Sequence, residues 1–150
     1  MKSKKVHMAR VAAGLAFLVL AGCASMGRKE DSAVIKDRAI ERWNLLIAHK
    51  ADKAWDFLSP GYRATKPRDK YADEMNSRGI HWSKVGYGSQ TCEEDTCKVH
   101  LFVDYNVKLG GPAGMVKSSA PITETWVRVD GKWYYLPEAV QPKLGKEKES

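Results

Sequence analysis

The sequence predicts an α+β fold in which N-terminal helices pack on a curved, four-stranded antiparallel sheet. The apolar residues follow a helical period of 3.6 up to Gly79, and after it they alternate with the period of two that is typical of strands. An Asp-Gly pair at residues 130–131 marks a tight hairpin late in the chain. Helices followed by consecutive strands indicate the α+β class.

Three helices are predicted in the first half of the domain. The first covers residues 32–49, with an apolar stripe formed by Val34, Ile35, Ala39, Trp43, Leu46 and Ile47. The second covers residues 52–58 and stops at the Ser-Pro-Gly sequence 59–61, because proline disfavours helical geometry at the residue before it. The third runs from Pro67 to a C-cap near Gly79.

Four strands are predicted after the helices, and the second has the clearest pattern. The first begins at Ile80, the second covers 98–109, the third covers about 116–129 and the fourth 132–136. In the second strand, one face carries Val99, Leu101, Val103, Tyr105 and Val107, and the other carries His100, Phe102, Asp104, Asn106 and Lys108. We therefore expect the first of these two faces to be buried.

The N-terminus has the pattern of an export signal. Four basic residues and no acids precede an apolar stretch, Val11 to Gly22, that is shorter than the roughly 20 residues a membrane-spanning helix needs. The stretch ends in Leu-Ala-Gly-Cys at residues 20–23, which resembles the lipobox of bacterial lipoproteins. That resemblance implies cleavage of a signal peptide, residues 1–22, and attachment of lipid, including an acyl chain such as palmitate, to Cys23. The alternative is a plain signal peptide with a chance cysteine.

Two or more acyl chains anchor a protein stably, whereas one chain binds reversibly. Residue 24 is Ala rather than Asp, which by the sorting pattern of lipoproteins implies the outer membrane, facing the periplasm, if the host is Gram-negative. Residues 23–33 are expected to be the lipidated Cys and a flexible tether, 34–138 the α+β domain, and 139–150 a polar tail.

The charge of the chain gives no indication of nucleic-acid binding. The full sequence has 25 Lys and Arg against 18 Asp and Glu, a net charge of +7. Residues 1–22 hold four of the basic residues, so 21 basic and 18 acidic residues remain in the processed chain, a net charge of +3. Its basic residues form no cluster with interleaved aromatics.

Cys92 and Cys97 are the two cysteines left after Cys23. In an exported protein such a pair predicts a disulfide, here across the turn 93–96. The alternative is half of a zinc site, but no second Cys/His pair lies at ligand spacing. We expect no metal and no cofactor.

Two segments carry a resemblance to a known fold family. They are 54–63, AWDFLSPGYR, and 126–138, WVRVDGKWYYLPE. Together with the first helix they resemble the nuclear transport factor 2-like (cystatin-like cone) superfamily, and its exported bacterial lipoproteins in particular. The superfamily includes steroid isomerases, dehydratases and non-catalytic binding modules, so the resemblance implies a fold and leaves the activity open.

An isomerase-like site in the cone would need a carboxylate base near tyrosine donors. The candidate carboxylates are Asp56, Asp104 and Glu124, and the candidate donors are Tyr62, Tyr87 and Tyr105. We expect all three carboxylates to be solvated, Asp104 because of its strand face and Glu124 because Arg128 follows it on the same strand face.

The pair Tyr62 and Arg63 has two interpretations. Both lie at the rim of the pocket, or Tyr62 fills the cone while Arg63 is solvated. With no catalytic constellation evident, the predicted function is a membrane-tethered, non-catalytic binding or accessory domain of the cell envelope. Its partner is expected to be an envelope protein or a small apolar ligand, and the alternative is an isomerase or dehydratase acting in the cone pocket.

Overall fold

The computed structural model describes residues 23–108 and 114–138, and their side chains from residue 31 onward. The predicted signal peptide, residues 1–22, and the predicted tail, residues 139–150, lie outside the described residues. The side chain of Cys23 lies outside them as well.

In the chain from residue 23 onward, five helical segments of different lengths precede the sheet. They are α1 (Cys23–Ile47), α2 (Ala51–Ala54), a 3₁₀ turn (Trp55–Phe57), α3 (Pro60–Thr65) and α4 (Arg68–Asn76). The three predicted helices correspond to α1, to α2 with the 3₁₀ turn, and to α4. The remaining helix, α3, was not predicted.

The first helix is longer than the sequence pattern predicted. Residues 23–33 were expected to form a flexible coil, but α1 begins at Cys23. This segment contains Ala, Met, Arg, Lys and Glu, which are strong helix formers, and it contains no proline. Local propensity therefore extends the helix beyond the apolar stripe that defined its predicted start.

The sequence Ser-Pro-Gly at residues 59–61 both ends one helical segment and begins the next. The hydroxyl of Ser59 accepts a hydrogen bond from the backbone N–H of Tyr62, and Pro60 occupies the first turn of α3. Serine is a preferred N-cap, and proline is favoured at the first helical position because its missing N–H is not needed there. The sequence pattern predicted the end of a helical segment here, but it did not predict the beginning of α3.

The sheet is an antiparallel meander, as predicted. Its strands are β1 (Ile80–Glu93), β2 (Thr96–Lys108), β3 (Met115–Val129) and β4 (Lys132–Leu136), in the order β1-β2-β3-β4. The β3–β4 turn has positive φ at both central residues, 50° at Asp130 and 75° at Gly131, as a type I′ turn requires.

The core lies between the helices and one face of the sheet. The β2 residues Val99, Leu101 and Val103 are buried, as their alternation predicted. The other buried apolar side chains that face them come from the helices and from β3 and β4, and include Ile35, Ala39, Trp43, Leu46, Leu58, Tyr71, Trp126 and Trp133. The predicted α+β class, with N-terminal helices on a curved four-stranded sheet, is confirmed.

Candidate functional site

Glu124 lies in the interior of the fold with 1% of its surface exposed. Its register partner on β2 is the core residue Val99, so the alternation of the strand points Glu124 toward the helices. Its Oε1 accepts hydrogen bonds from the guanidinium of Arg42 and from the indole Nε1 of Trp43, the latter at 2.8 Å. Its Oε2 accepts one from the indole of Trp126 at 2.9 Å. Both carboxylate oxygens therefore have partners on protein side chains.

Arg42 of α1 is the counter-ion of this carboxylate and is 3% exposed. Its guanidinium carbon lies 4.1 Å from the centre of the Tyr135 ring, and its Nη1 donates to the hydroxyl of Tyr71 at 3.5 Å. Its Nε has no hydrogen-bond partner among the described residues, and the cation–π contact with Tyr135 supplies part of the missing interaction.

The ion pair keeps the Arg42 side chain charged. Burial by itself lowers the pKa of Arg42, because the interior solvates a charge poorly. The negative charge and hydrogen bonds of Glu124 outweigh that effect, so the pKa of Arg42 lies above its usual value.

Two tyrosines border the ion pair, and burial affects both. Burial raises the pKa of Tyr135 to about 12, and the positive charge of Arg42 opposes this shift. The pKa of Tyr71 is raised for the same reason and is opposed by the same charge and by its hydrogen bond from Arg42. Both phenols are therefore neutral at physiological pH.

This arrangement favours a structural role for Glu124. A general base must present a free lone pair to the proton that it removes. Three N–H donors, from Arg42, Trp43 and Trp126, occupy three of the about four acceptor positions of the Glu124 carboxylate, and the residue is 1% exposed. Tyr71 and Tyr135 contact the guanidinium of Arg42, so aromatic side chains border both members of the pair.

The prediction that Glu124 is solvated and paired with Arg128 was wrong. Both residues lie on the same strand face, but four residues of extended chain separate them by about 13 Å. Arg128 instead binds Asp31 of α1, at 3.0 Å, and Asp95 in the β1–β2 turn, at 2.7 Å. We infer that Arg128 joins the sheet to the helix.

The other two candidate carboxylates lie outside the core. Asp56 is exposed and forms a bidentate pair with Arg68, at 2.6 and 2.9 Å. Asp104 lies on the outer face of β2, beside a groove of about 480 Å³. The groove is lined by Ser83, Lys84, Asp104, Tyr105, Asn106, Lys117, Ser118 and Ser119.

The residues proposed for the pocket or its rim are distributed over the molecule. Tyr62 is buried in the core, and Arg63 stacks against the rings of Trp55 and Tyr134. The structure records no hydrogen bond or ring contact between any two of the four candidates, within the ranges it describes. They are Tyr62, Arg63, Tyr87, whose hydroxyl bonds Gln90, and Tyr105, which lines the groove.

Cys92 and Cys97 face each other across the β1–β2 pair, with their sulfur atoms 2.02 Å apart. This is the separation of a disulfide bond. Within residues 23–108 and 114–138, no group of three or more Cys, His, Asp or Glu side chains is arranged to hold a metal ion.

Sequence reasoning missed Arg42, Tyr71 and Tyr135 as neighbours of Glu124. A signal was present for the ion pair. Arg42 falls on the apolar stripe of α1, three residues after Ala39. Glu124 alternates with Ile122 and Trp126, so strand parity alone places its side chain on the core face.

Comparison with known proteins supports the fold. No family model and no curated protein matches the chain. A SEC-C motif-containing protein of Rhodopseudomonas palustris is similar in structure, with a TM-score of 0.55 and 13% identity over 75% of this chain and 82% of that chain. A second SEC-C motif-containing protein, from Psychrobacter arcticus, has a TM-score of 0.52 and 11% identity over 89% of this chain and 80% of that chain.

An NTF2-like transpeptidase from Campylobacter jejuni is also among the structural neighbours, with a TM-score of 0.47 and 11% identity over 69% of this chain and 97% of that chain. At identities of 11% and 13% a structural likeness does not transfer an activity. In the described part of the chain, no helix is both long and apolar enough to cross a membrane.

Proposed function

We propose that this protein is a lipid-anchored, non-catalytic binding or accessory domain of the cell envelope, built on a nuclear transport factor 2-like fold. The observation that carries the non-catalytic part is the interior of the domain. The Glu124 carboxylate is bonded by Arg42, Trp43 and Trp126 and is 1% exposed, so it is poorly placed to take a proton from a substrate.

The anchored part of the proposal comes from the lipobox-like residues 20–23. Cleavage before Cys23 and acylation would hold the domain at the outer membrane, facing the periplasm, in a Gram-negative host. The partner would be an envelope protein or a small apolar ligand that diffuses near the same membrane.

Membrane fractionation and metabolic labelling with palmitate test the anchor. Wild type should take up the label and sediment with membranes, whereas Cys23→Ser should lose the label and leave the membrane fraction. Ser25→Ala, a change close to the processing site that leaves the cysteine intact, is the matched control. If Cys23→Ser keeps both the label and the membrane location, the protein is not anchored in this way.

Hydrogen exchange of the indole N–H groups tests whether solvent is excluded from the interior around Glu124. The indoles of Trp43 and Trp126 donate to a carboxylate that is 1% exposed, so they should exchange slowly in NMR spectra recorded in D₂O. Exchange of both indoles within seconds would mean that solvent reaches Glu124, and the non-catalytic part of the proposal would then lose its support.

A further inference from the structure

A row of alternating guanidinium and aromatic groups lies outside the buried ion pair. The guanidinium carbon of Arg38 is 4.7 Å from the centre of the Phe57 ring and 5.7 Å from that of Tyr134. The guanidinium carbon of Arg63 is 5.5 Å from the same Tyr134 ring and 5.1 Å from the ring of Trp55. Two positive charges therefore converge on one tyrosine.

Arg68 is the next guanidinium in this row, and its contacts show which group such an arginine binds. Arg68 stacks on Trp55 at 4.5 Å, and its in-plane N–H groups hold both oxygens of Asp56 at 2.6 and 2.9 Å. Stacking occupies the face of a guanidinium and leaves its fork of donors free, and that fork matches a carboxylate. Arg63 stacks on the same indole, but no carboxylate of the described residues lies within ion-pairing distance of it.

The charges on Arg38 and Arg63 are incompletely compensated. Nε of Arg38 donates to the backbone oxygen of Trp133 at 2.8 Å, which leaves its two terminal nitrogens for other acceptors. Burial lowers the pKa of Arg38, and the neighbouring groups that oppose this shift are Tyr134 and Glu41. A partner's carboxylate beside Arg38 would offset the cost of its desolvation, and beside Arg63 it would supply the counter-charge that the described residues do not.

We propose that Arg38, Arg63, Tyr134 and Trp55 form a binding site for a carboxylate side chain in an acidic segment of a partner protein. This inference rests on the proposed binding function, because it names the surface and the chemistry through which the domain would engage an envelope protein. The paired N–H donors of an arginine match the two oxygens of a carboxylate, and the aromatic rings hold the guanidinium in position before the partner binds.

An acidic protein segment fits the position of this site better than an anionic lipid does. Helical rise places Arg38 about 22 Å along α1 from Cys23, the proposed point of lipid attachment. At physiological ionic strength the attraction between anionic lipid and an exposed cation is screened over about 8 Å. A lipid surface at Cys23 would therefore attract the guanidinium of Arg38 only weakly.

The site can be tested by NMR titration of the processed chain, purified from cells in a non-ionic detergent. The probe is a capped hexaglutamate peptide, and capped hexaglutamine is its uncharged match. The Nε–H signal of Arg63 and the indole signal of Trp55 should shift saturably with the first peptide and not with the second. Because these two groups are in contact, they should give the same dissociation constant.

Three variants distinguish a specific bidentate contact of Arg63 from general attraction between opposite charges. Arg63→Gln should weaken peptide binding at least about tenfold, as the loss of a charge-assisted bidentate contact does. Arg63→Lys should weaken it nearly as much, because lysine keeps the charge without the fork. Lys84→Gln removes one positive charge from an exposed position on β1 and should change the affinity less than about twofold.

Several results would overturn the site. Equal losses in Arg63→Gln and Lys84→Gln, or no saturable shift, would mean that no carboxylate site exists there. A chain ending at Glu138 that gains affinity would mean that the chain's own Glu147 and Glu149 compete for the site, and a partner's acidic segment would then be the wrong occupant. Phosphatidylglycerol vesicles that shift the Arg63 signal when the peptide does not would assign the surface to lipid. None of these outcomes affects palmitate labelling of Cys23, so failure of this site and failure of the anchor are distinguishable.

Discussion

Arg42 of α1 and Glu124 of β3 form an ion pair whose side chains are 4% and 1% exposed. The pair joins the long helix to the middle of the sheet. Moving two charges into the interior is costly, and their attraction together with further hydrogen bonds offsets that cost only when the geometry is good. Here Trp43 and Trp126 supply the further donors to Glu124. We infer that the pair fixes the position of α1 on the sheet more than it adds net stability.

Replacing one member of this pair should be strongly destabilising. Glu124→Gln keeps the shape of the side chain but leaves the charge of Arg42 buried without a counter-ion. Loss of one partner of a buried pair typically costs about 3–5 kcal/mol in the free energy of unfolding. Urea unfolding followed by tryptophan fluorescence measures it directly.

Two further variants show whether the cost comes from the unpaired charge. The double variant Arg42→Met with Glu124→Gln removes both charges and keeps the same amide beside the indoles of Trp43 and Trp126, so it should be more stable than Glu124→Gln alone. Glu74→Gln removes one partner of an exposed pair, Glu74 with Lys66, and should have little effect. If the double variant is the least stable of the three, the ion pair itself is the main source of stability and our inference is wrong.

The raised pKa of Tyr135 predicts a loss of stability at alkaline pH. In the unfolded chain this phenol titrates near its ordinary value of 10.0, whereas in the folded protein it titrates at about 12. Between these values the unfolded state has released the proton and the folded state still holds it, so the free energy of unfolding falls as pH rises. The loss from this one group should reach about 1.4 kcal/mol by pH 11 and should not occur well below pH 10.

Tyr135→Phe removes the ionising group and keeps the ring that contacts Arg42. Its urea midpoint should fall less steeply than that of wild type between pH 9 and pH 11. Some slope should remain, because the pKa of Tyr71 is raised in the folded state as well. Parallel pH profiles for the two proteins would contradict the assignment of the effect to Tyr135.

The sheet could be predicted from the sequence because each strand carries its own local signal. Alternation at 99–107 defined the buried face of β2, and Asp130 with Gly131 defined the last turn. The prediction of the helical half was less accurate, because the same residues can end one helical segment and begin the next. Ser59 and Pro60 stop one helical segment and also cap and begin α3, and a pattern of apolar residues does not distinguish these roles.

The buried ion pair was missed because charged residues were assigned to the surface by type. Periodicity placed Arg42 and Glu124 on apolar faces, but an isolated charge on such a face is tolerated only if a partner of opposite sign lies across the core. The two residues are 82 positions apart in the sequence. A pattern of neighbouring residues does not show which charges meet across the core. The two residues meet because α1 packs on the sheet.

The Cys92–Cys97 pair gives a prediction about the β1–β2 hairpin. Cys92 and Cys97 are register partners across β1 and β2, so alkylation of non-reduced protein followed by mass spectrometry should find both thiols blocked. Two freely alkylated cysteines in exported protein would show that the bond does not form, and would reopen the zinc alternative for this turn.

The same disulfide should stabilise the fold modestly, because the loop that it closes is short. The loop-entropy relation gives about 2 kcal/mol for its removal. Cys92→Ser is the appropriate variant, since Cys92 is exposed and the buried Cys97 stays in place as a small apolar side chain. Urea unfolding of wild type with and without dithiothreitol should reproduce the difference between wild type and Cys92→Ser. A Cys92→Ser protein that remains sensitive to dithiothreitol would show that the reductant acts elsewhere than on this bond.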